Sequence, residues 1–143
     1  MKKLLLLIIL SFPMFAQSYI GASYSAGDGT RGGVILGMFV IGDWAIETHY
    51  WEPPENTINY GLSLKHFDDN RMKYIVFDFA NKIPKFRNDP NIHHLRGLQF
   101  GVGRNVFKTA KFSFPIEAGV GSLYDWEDKN WETVFYANIG VIY

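Results

Sequence analysis

The side chains that could move a proton, hold a metal or attack a substrate are few in this sequence. There is no cysteine, which removes thiolate nucleophiles, thiolate metal sites and disulfide frameworks together. His93 and His94 are adjacent, so their side chains diverge, and with no further ligand at helpful spacing they read as a solvated loop; no metal site is assigned. Asp68-Asp69-Asn70 lacks the glycine and terminal glutamate of a calcium loop and reads as a turn. Gly101-Val102-Gly103 does not continue into a dinucleotide fingerprint. What remains is a set of charges, Glu47, Lys65, Asp78 and Glu117, accompanied in the same parity by His49, Asn59, Gln99 and Asn138. Such groups on one face could line a polar channel or a proton site. Away from water they must otherwise pair, filling the interior with ion pairs and hydrogen bonds.

The elements that position them are strands. From Ser18 onward about eight runs rich in β-branched and aromatic residues alternate with period two and are divided by Gly, Pro, Asn and Asp clusters. The runs are Ser18 to Ser25, Gly33 to Ile41, Asp43 to Trp51, Thr57 to Phe67, Met72 to Asn81, Leu95 to Arg104, Phe112 to Tyr124 and Thr133 to Tyr143. Each approaches the roughly 9 to 11 residues a tilted membrane strand needs. One face of each is apolar: Ile20, Ala22 and Tyr24 oppose Gly21, Ser23 and Ser25, and Leu98, Phe100 and Val102 oppose Gly97, Gln99, Gly101 and Gly103. Glycine on the polar face suits a narrow lumen. On a solvated surface it would weaken the strand for nothing. Two runs are harder to orient: the second is apolar on both faces, and the fifth puts Tyr74 and Val76 inward with Asp78. Pro115 requires a bulge or a strand end.

The amino terminus reads as a signal peptide over residues 1–16. Met1-Lys2-Lys3 is basic, Leu4 to Leu10 is apolar, and Ser11-Phe12-Pro13 leads to a small residue at Ala16. The apolar run is far short of the roughly 20 residues of a membrane-spanning helix. A chain starting at Gln17 keeps 12 basic against 14 acidic residues, a formal charge of −2. Nucleic-acid binding therefore has no electrostatic basis. Residues 17–143 form one domain.

Short links (Gly42, Asp68 to Arg71, Asn105 to Lys111) alternate with longer ones (Ala26 to Gly32, Glu52 to Asn56, Lys82 to His94, Asp125 to Glu132), the arrangement of a membrane barrel whose termini lie in the periplasm. Trp44 and Tyr143 fall where an inner aromatic girdle belongs, and Tyr24, Tyr50, Tyr124 and Trp131 where an outer one does.

With these features the chain resembles the small outer-membrane barrels of the OmpA/OmpX type, and Tyr136 to Tyr143, alternating and ending on an aromatic residue, carries the most specific part of the likeness. The resemblance implies an all-β, antiparallel, up-and-down transmembrane barrel of about eight strands in a Gram-negative outer membrane. It implies contact with membrane lipids and lipopolysaccharide, assembly by the outer-membrane insertion machinery, and no cofactor. About eight strands leave little open lumen, so a general diffusion pore is not expected. Some barrels of this size modify lipid A, which makes an enzyme an alternative. Glu47 and His49 with Ser122 and Asp125 lie near outer strand ends, but no His-x-Ser-Asn run occurs and no catalytic residue is assigned. A soluble secreted β-barrel that binds a ligand is the other alternative. The third outer loop is basic through Lys82, Lys85, Arg87, His93, His94 and Arg96, and could meet lipopolysaccharide phosphates or a surface partner. The fourth is acidic, and mutual neutralisation of the two is the plainer expectation.

Overall fold

The computed structural model describes residues 18–27, 29–53, 56–85 and 93–143. The signal-peptide reading of residues 1–16 and the loop residue Arg87 fall outside them. The described residues form eight antiparallel strands: β1 (Ser18–Gly27), β2 (Gly33–Ile41), β3 (Trp44–Trp51), β4 (Thr57–Phe67), β5 (Lys73–Pro84), β6 (Leu95–Lys108), β7 (Ser113–Asp125) and β8 (Asn130–Ile142). Each pairs with its sequence neighbours, and β1 pairs with β8, so the sheet closes into a barrel without edges. Near the termini, reciprocal bonds between the main-chain groups of Ile20 and Tyr143 seal the closure (2.9 and 2.7 Å).

The registers fix the barrel's shape. A line of paired residues runs from Ile20 through Leu36, Thr48, Leu62, Phe79, Leu98 and Ser122 to Thr133. Extending the β8–β1 register, in which Ser23 meets Gly140, returns that line at position 30, ten residues beyond its start. Eight strands with that stagger tilt by about 40°, and the interior is just wide enough for side chains.

The two ambiguous strands resolve by alternation. In β2, Ile35 faces inward with Gly37, while Val34, Leu36 and Met38 face out; in β5, Tyr74, Val76 and Asp78 all point inward. Pro115 lies opposite Asn105, where the β6–β7 register shifts before Phe107, so a bulge accommodates the missing donor.

Several strands run further than the residue types suggest. β6 continues through Asn105 to Lys108, β5 reaches Pro84, and β8 begins at Asn130. The link expected over Asp125 to Glu132 is consequently the four-residue turn 126–129, equal in length to the link 109–112 at the opposite end. The alternation of short and long connections thus rests mainly on the stretch 85–94. We call the end carrying Ser18 and Tyr143 proximal and the end carrying Lys85 and His94 distal.

Candidate functional site

The lumen is layered. At the proximal end Tyr19, Phe39, Phe67 and Tyr74 pack ring against ring, with centroids 5.7, 5.3 and 5.0 Å apart in sequence, over the fully buried Ala45. Near the distal end Ala80, Leu95, Leu123 and Val134 form a second apolar cluster inside the wall. An entirely polar lumen is therefore not what the chain builds: its main network of charged groups occupies a middle layer between them. Inward glycines make room for inward tyrosines. A Cβ on Gly37 would lie 2.3 Å from the Tyr19 ring, one on Gly103 2.1 Å from Tyr74, and one on Gly101 2.2 Å from the Tyr136 hydroxyl.

Glu47, Asp78 and Glu117 meet in the middle layer, with exposures of 0, 1 and 3%. Lys65 lies 2.8 Å from Glu47 and 3.5 Å from Glu117, its ammonium 4.3 Å above the Tyr74 ring. The centre of the network is a residue that parity does not reveal. Arg31, in the β1–β2 connection, turns into the barrel and is 2% exposed. Its guanidinium lies 2.5 Å from Glu117, 3.2 Å from Glu47 and 3.5 Å from Asp78, and it donates to the Ser63 hydroxyl. Bidentate and branched donation of this kind is what a guanidinium does and an ammonium cannot. Gly33, at φ +80° and with no room for a Cβ beside the Tyr50 carbonyl, lets the connection turn inward behind Arg31.

Smaller groups complete the layer. The Tyr19 hydroxyl donates to Glu47 (2.8 Å) and Ser63 donates to Asp78 (2.6 Å). The Gln99 amide donates to Asp78 (3.2 Å) and to the Thr30 hydroxyl (2.6 Å), so Thr30 pins the same connection as Arg31. His49 stands 3.5 Å from Asp78, and neither of its ring nitrogens has a hydrogen-bond partner among the described residues. Asn59 and Asn138 are also buried, each with its Oδ1 unpartnered among them. All eight inward residues inferred from parity lie inside the wall. Arg31 and Thr30 were missed, though three inward carboxylates against Lys65 alone signalled a missing cation.

The four residues weighed for catalysis, Glu47, His49, Ser122 and Asp125, are not brought together as one set. His49 and Glu47 are enclosed in the lumen from β3, whereas Ser122 faces out from β7 and Asp125 faces in beyond Leu123.

At the distal end the basic connection pairs with two neighbours, through Lys85 with the β3–β4 connection and through His93 and His94 with the acidic residues around the β7–β8 turn. Lys85 lies 2.6 Å from Glu52, whose carboxyl is held below its ordinary range chiefly by that hydrogen bond. His93 Nδ1 lies 2.5 Å from Asp125, and this hydrogen bond raises the imidazole above its usual value. The main-chain N–H of His94 donates to Glu127 (2.8 Å). Arg96 donates to Asn81 (2.7 Å) and faces outward on β6, while Lys82 lines a cavity of about 190 Å³ with Trp51 and Asn59. The further partners that the His93-His94 pair lacked in sequence come from Asp125 and Asp128, more than 30 residues away.

The outer face is an apolar belt to which every strand contributes, including Ile20, Leu36, Ile46, Leu62, Phe77, Phe100, Val120 and Ile139. On β6 the outward residues between Arg96 and Arg104 are Leu98, Phe100 and Val102. Eight residues at this tilt make a charge-free band about 20 Å tall. Aromatic side chains gather at its borders. Trp44 stacks on His66 (4.4 Å) and Tyr143 meets Phe112 (5.1 Å) proximally; Tyr24 meets Trp51 (6.2 Å) and Tyr124 meets Trp131 (5.3 Å) distally, with Tyr50 also exposed there.

Comparison of the chain with protein-family models, with curated proteins and with solved structures gave no match.

Proposed function

We propose that the protein is a small transmembrane barrel of a Gram-negative outer membrane, of the OmpA/OmpX type, with a plugged lumen and a structural or surface-interaction role exercised through its distal connections. The observation that carries this reading is the outer belt. Soluble monomers rarely expose a contiguous apolar patch beyond a few hundred Å², and here all eight strands present apolar side chains outward. Lipid tails would solvate such a surface, and the bordering Arg96 and Arg104 would reach the headgroups on either side. The first and last described residues, Ser18 and Tyr143, lie at one end, which in barrels of that membrane faces the periplasm.

The Arg31 network, with apolar clusters above and below it, favours a structural lumen over a conducting one. Loop ion pairs at Glu52–Lys85 and His93–Asp125 favour mutual neutralisation of the distal connections. Among the described residues, lipopolysaccharide contact then falls to Lys82 and to Arg96, beside Tyr124 across the β6–β7 ladder. A soluble binding barrel would have to hide the belt in some other way.

Fractionation of expressing cells tests the proposal, with electrophoresis of the membrane fraction before and after boiling. Recovery in the outer membrane with a heat-dependent change in mobility is expected. A soluble, unshifted protein would overturn the reading.

A further inference from the structure

We propose that His93, Asp125 and Asp128 form a binding site for a first-row divalent cation, best matched to Zn²⁺, which ties the β5–β6 connection to the β7–β8 turn. Three donor atoms from two distant segments converge there. His93 Nδ1 lies 2.5 Å from Asp125 Oδ2 and 3.7 Å from Asp128 Oδ2, and all three donors lie within 4.8 Å of one another.

Charge gives a second reason. The Asp125 side chain is fully buried, and a buried carboxylate requires a compensating charge. Among the described residues its only ion-pair partner is His93, which supplies a charge only when protonated. Asp128 presses a second carboxylate on the same nitrogen, and Glu127 brings a third to the main chain at His94. No lysine or arginine forms an ion pair with Asp125 or Asp128 among the described residues. A divalent cation would satisfy both aspartates without the proton.

The donor set selects the ion. Calcium and magnesium prefer oxygen alone. One imidazole nitrogen with two carboxylate oxygens suits Zn²⁺, which accepts three protein ligands and leaves a fourth position to water. Asp125 is fixed for the task, because its Oδ1 accepts from the main-chain N–H groups of Glu127 (2.8 Å) and Asp128 (3.1 Å) while Oδ2 points to His93. Donors around tetrahedral zinc stand about 3.3 Å apart. The His93–Asp128 separation is near that, and the His93–Asp125 pair opens by just under an ångström when the ion replaces the proton between them. Side-chain exposures of 33% at His93 and 61% at Asp128 leave the way in open. None of this depends on what surrounds the apolar belt.

Calorimetric titration of untagged, folded protein with ZnCl₂ tests the site. Saturable binding of one equivalent is expected. His93→Gln and Asp128→Asn should each weaken it at least about tenfold, and Asp69→Asn at the proximal end should not. Circular dichroism confirms that each variant is folded. Should a variant not fold, mass-spectrometric mapping of diethylpyrocarbonate modification on the unaltered chain takes its place: zinc should protect His93. Absence of binding, binding undiminished in both variants, or an unprotected His93 would each overturn the proposal.

Discussion

Arg31 does in one side chain what the strands cannot do for themselves. Alternation places Glu47, Asp78 and Glu117 in a narrow interior because nothing in a period-two pattern prevents it, and Lys65 can neutralise only part of that charge. The deficit is met from a loop. For that reason the inward strand residues were legible and their principal partner was not: parity assigns faces within a strand, whereas a connection obeys no parity, and only the charge imbalance and the neighbouring glycines hinted at it. Breaking a buried ion pair from one side leaves uncompensated charge and costs about 3–5 kcal/mol. Arg31→Met should therefore lower the free energy of unfolding by about that amount in urea titrations of the folded barrel. Adding Glu117→Gln, which removes the carboxylate at 2.5 Å, should restore part of the loss. A single variant as stable as the parent would show that the network is not under electrostatic demand.

At the scale of elements, residue types found the strands but not their ends. Asn105, Asp125, Asn130 and Glu132 look like loop residues, yet all lie in strands, because in a closed, staggered barrel the neighbouring strand still offers main-chain partners and β-propensity is outweighed. Turns are where local chemistry decides. Asp68 closes the β4–β5 link by accepting from the main-chain N–H groups of Met72 (2.6 Å) and Lys73 (3.0 Å), while Arg71 adopts φ +53°. These N–H groups, Lys73 first, hold the Asp68 carboxyl below its ordinary value. A carboxylate with a lowered folded-state pKa stabilises fully above its unfolded value, about 3.9, and loses that contribution as pH falls through the folded one. Asp68→Asn keeps an acceptor but cannot titrate. The urea midpoint of the unaltered protein should exceed the variant's at neutral pH, and the gap should close as the pH is taken below about 3.9. A gap constant with pH would mean that the charge plays no part in the turn.

For the whole molecule the question is what solvent the belt is built for, since the inside is already filled by its own side chains. Stability in water comes from hiding apolar surface, but this barrel turns much of its apolar surface outward and fills its interior with ions, rings and glycine. Two arginine substitutions on the same face of β6 distinguish the solvents. Phe100 lies midway between Arg96 and Arg104 and is paired with Phe77 at 5.1 Å, whereas Val106 lies beyond Arg104 at the proximal border. In lipid the cost of an outward charge depends on depth, about 2–4 kcal/mol at the midplane and about 0–1 near an interface. In water it does not. Phe100→Arg, corrected by Phe100→Ala for the lost ring pair, should thus destabilise the barrel in lipid vesicles by about 2–4 kcal/mol, and Val106→Arg by no more than about 1. Unfolding in urea from vesicles of fixed composition reads both. Equal and small effects at the two positions would mean that no bilayer surrounds the belt, and would return the fold to the soluble barrels.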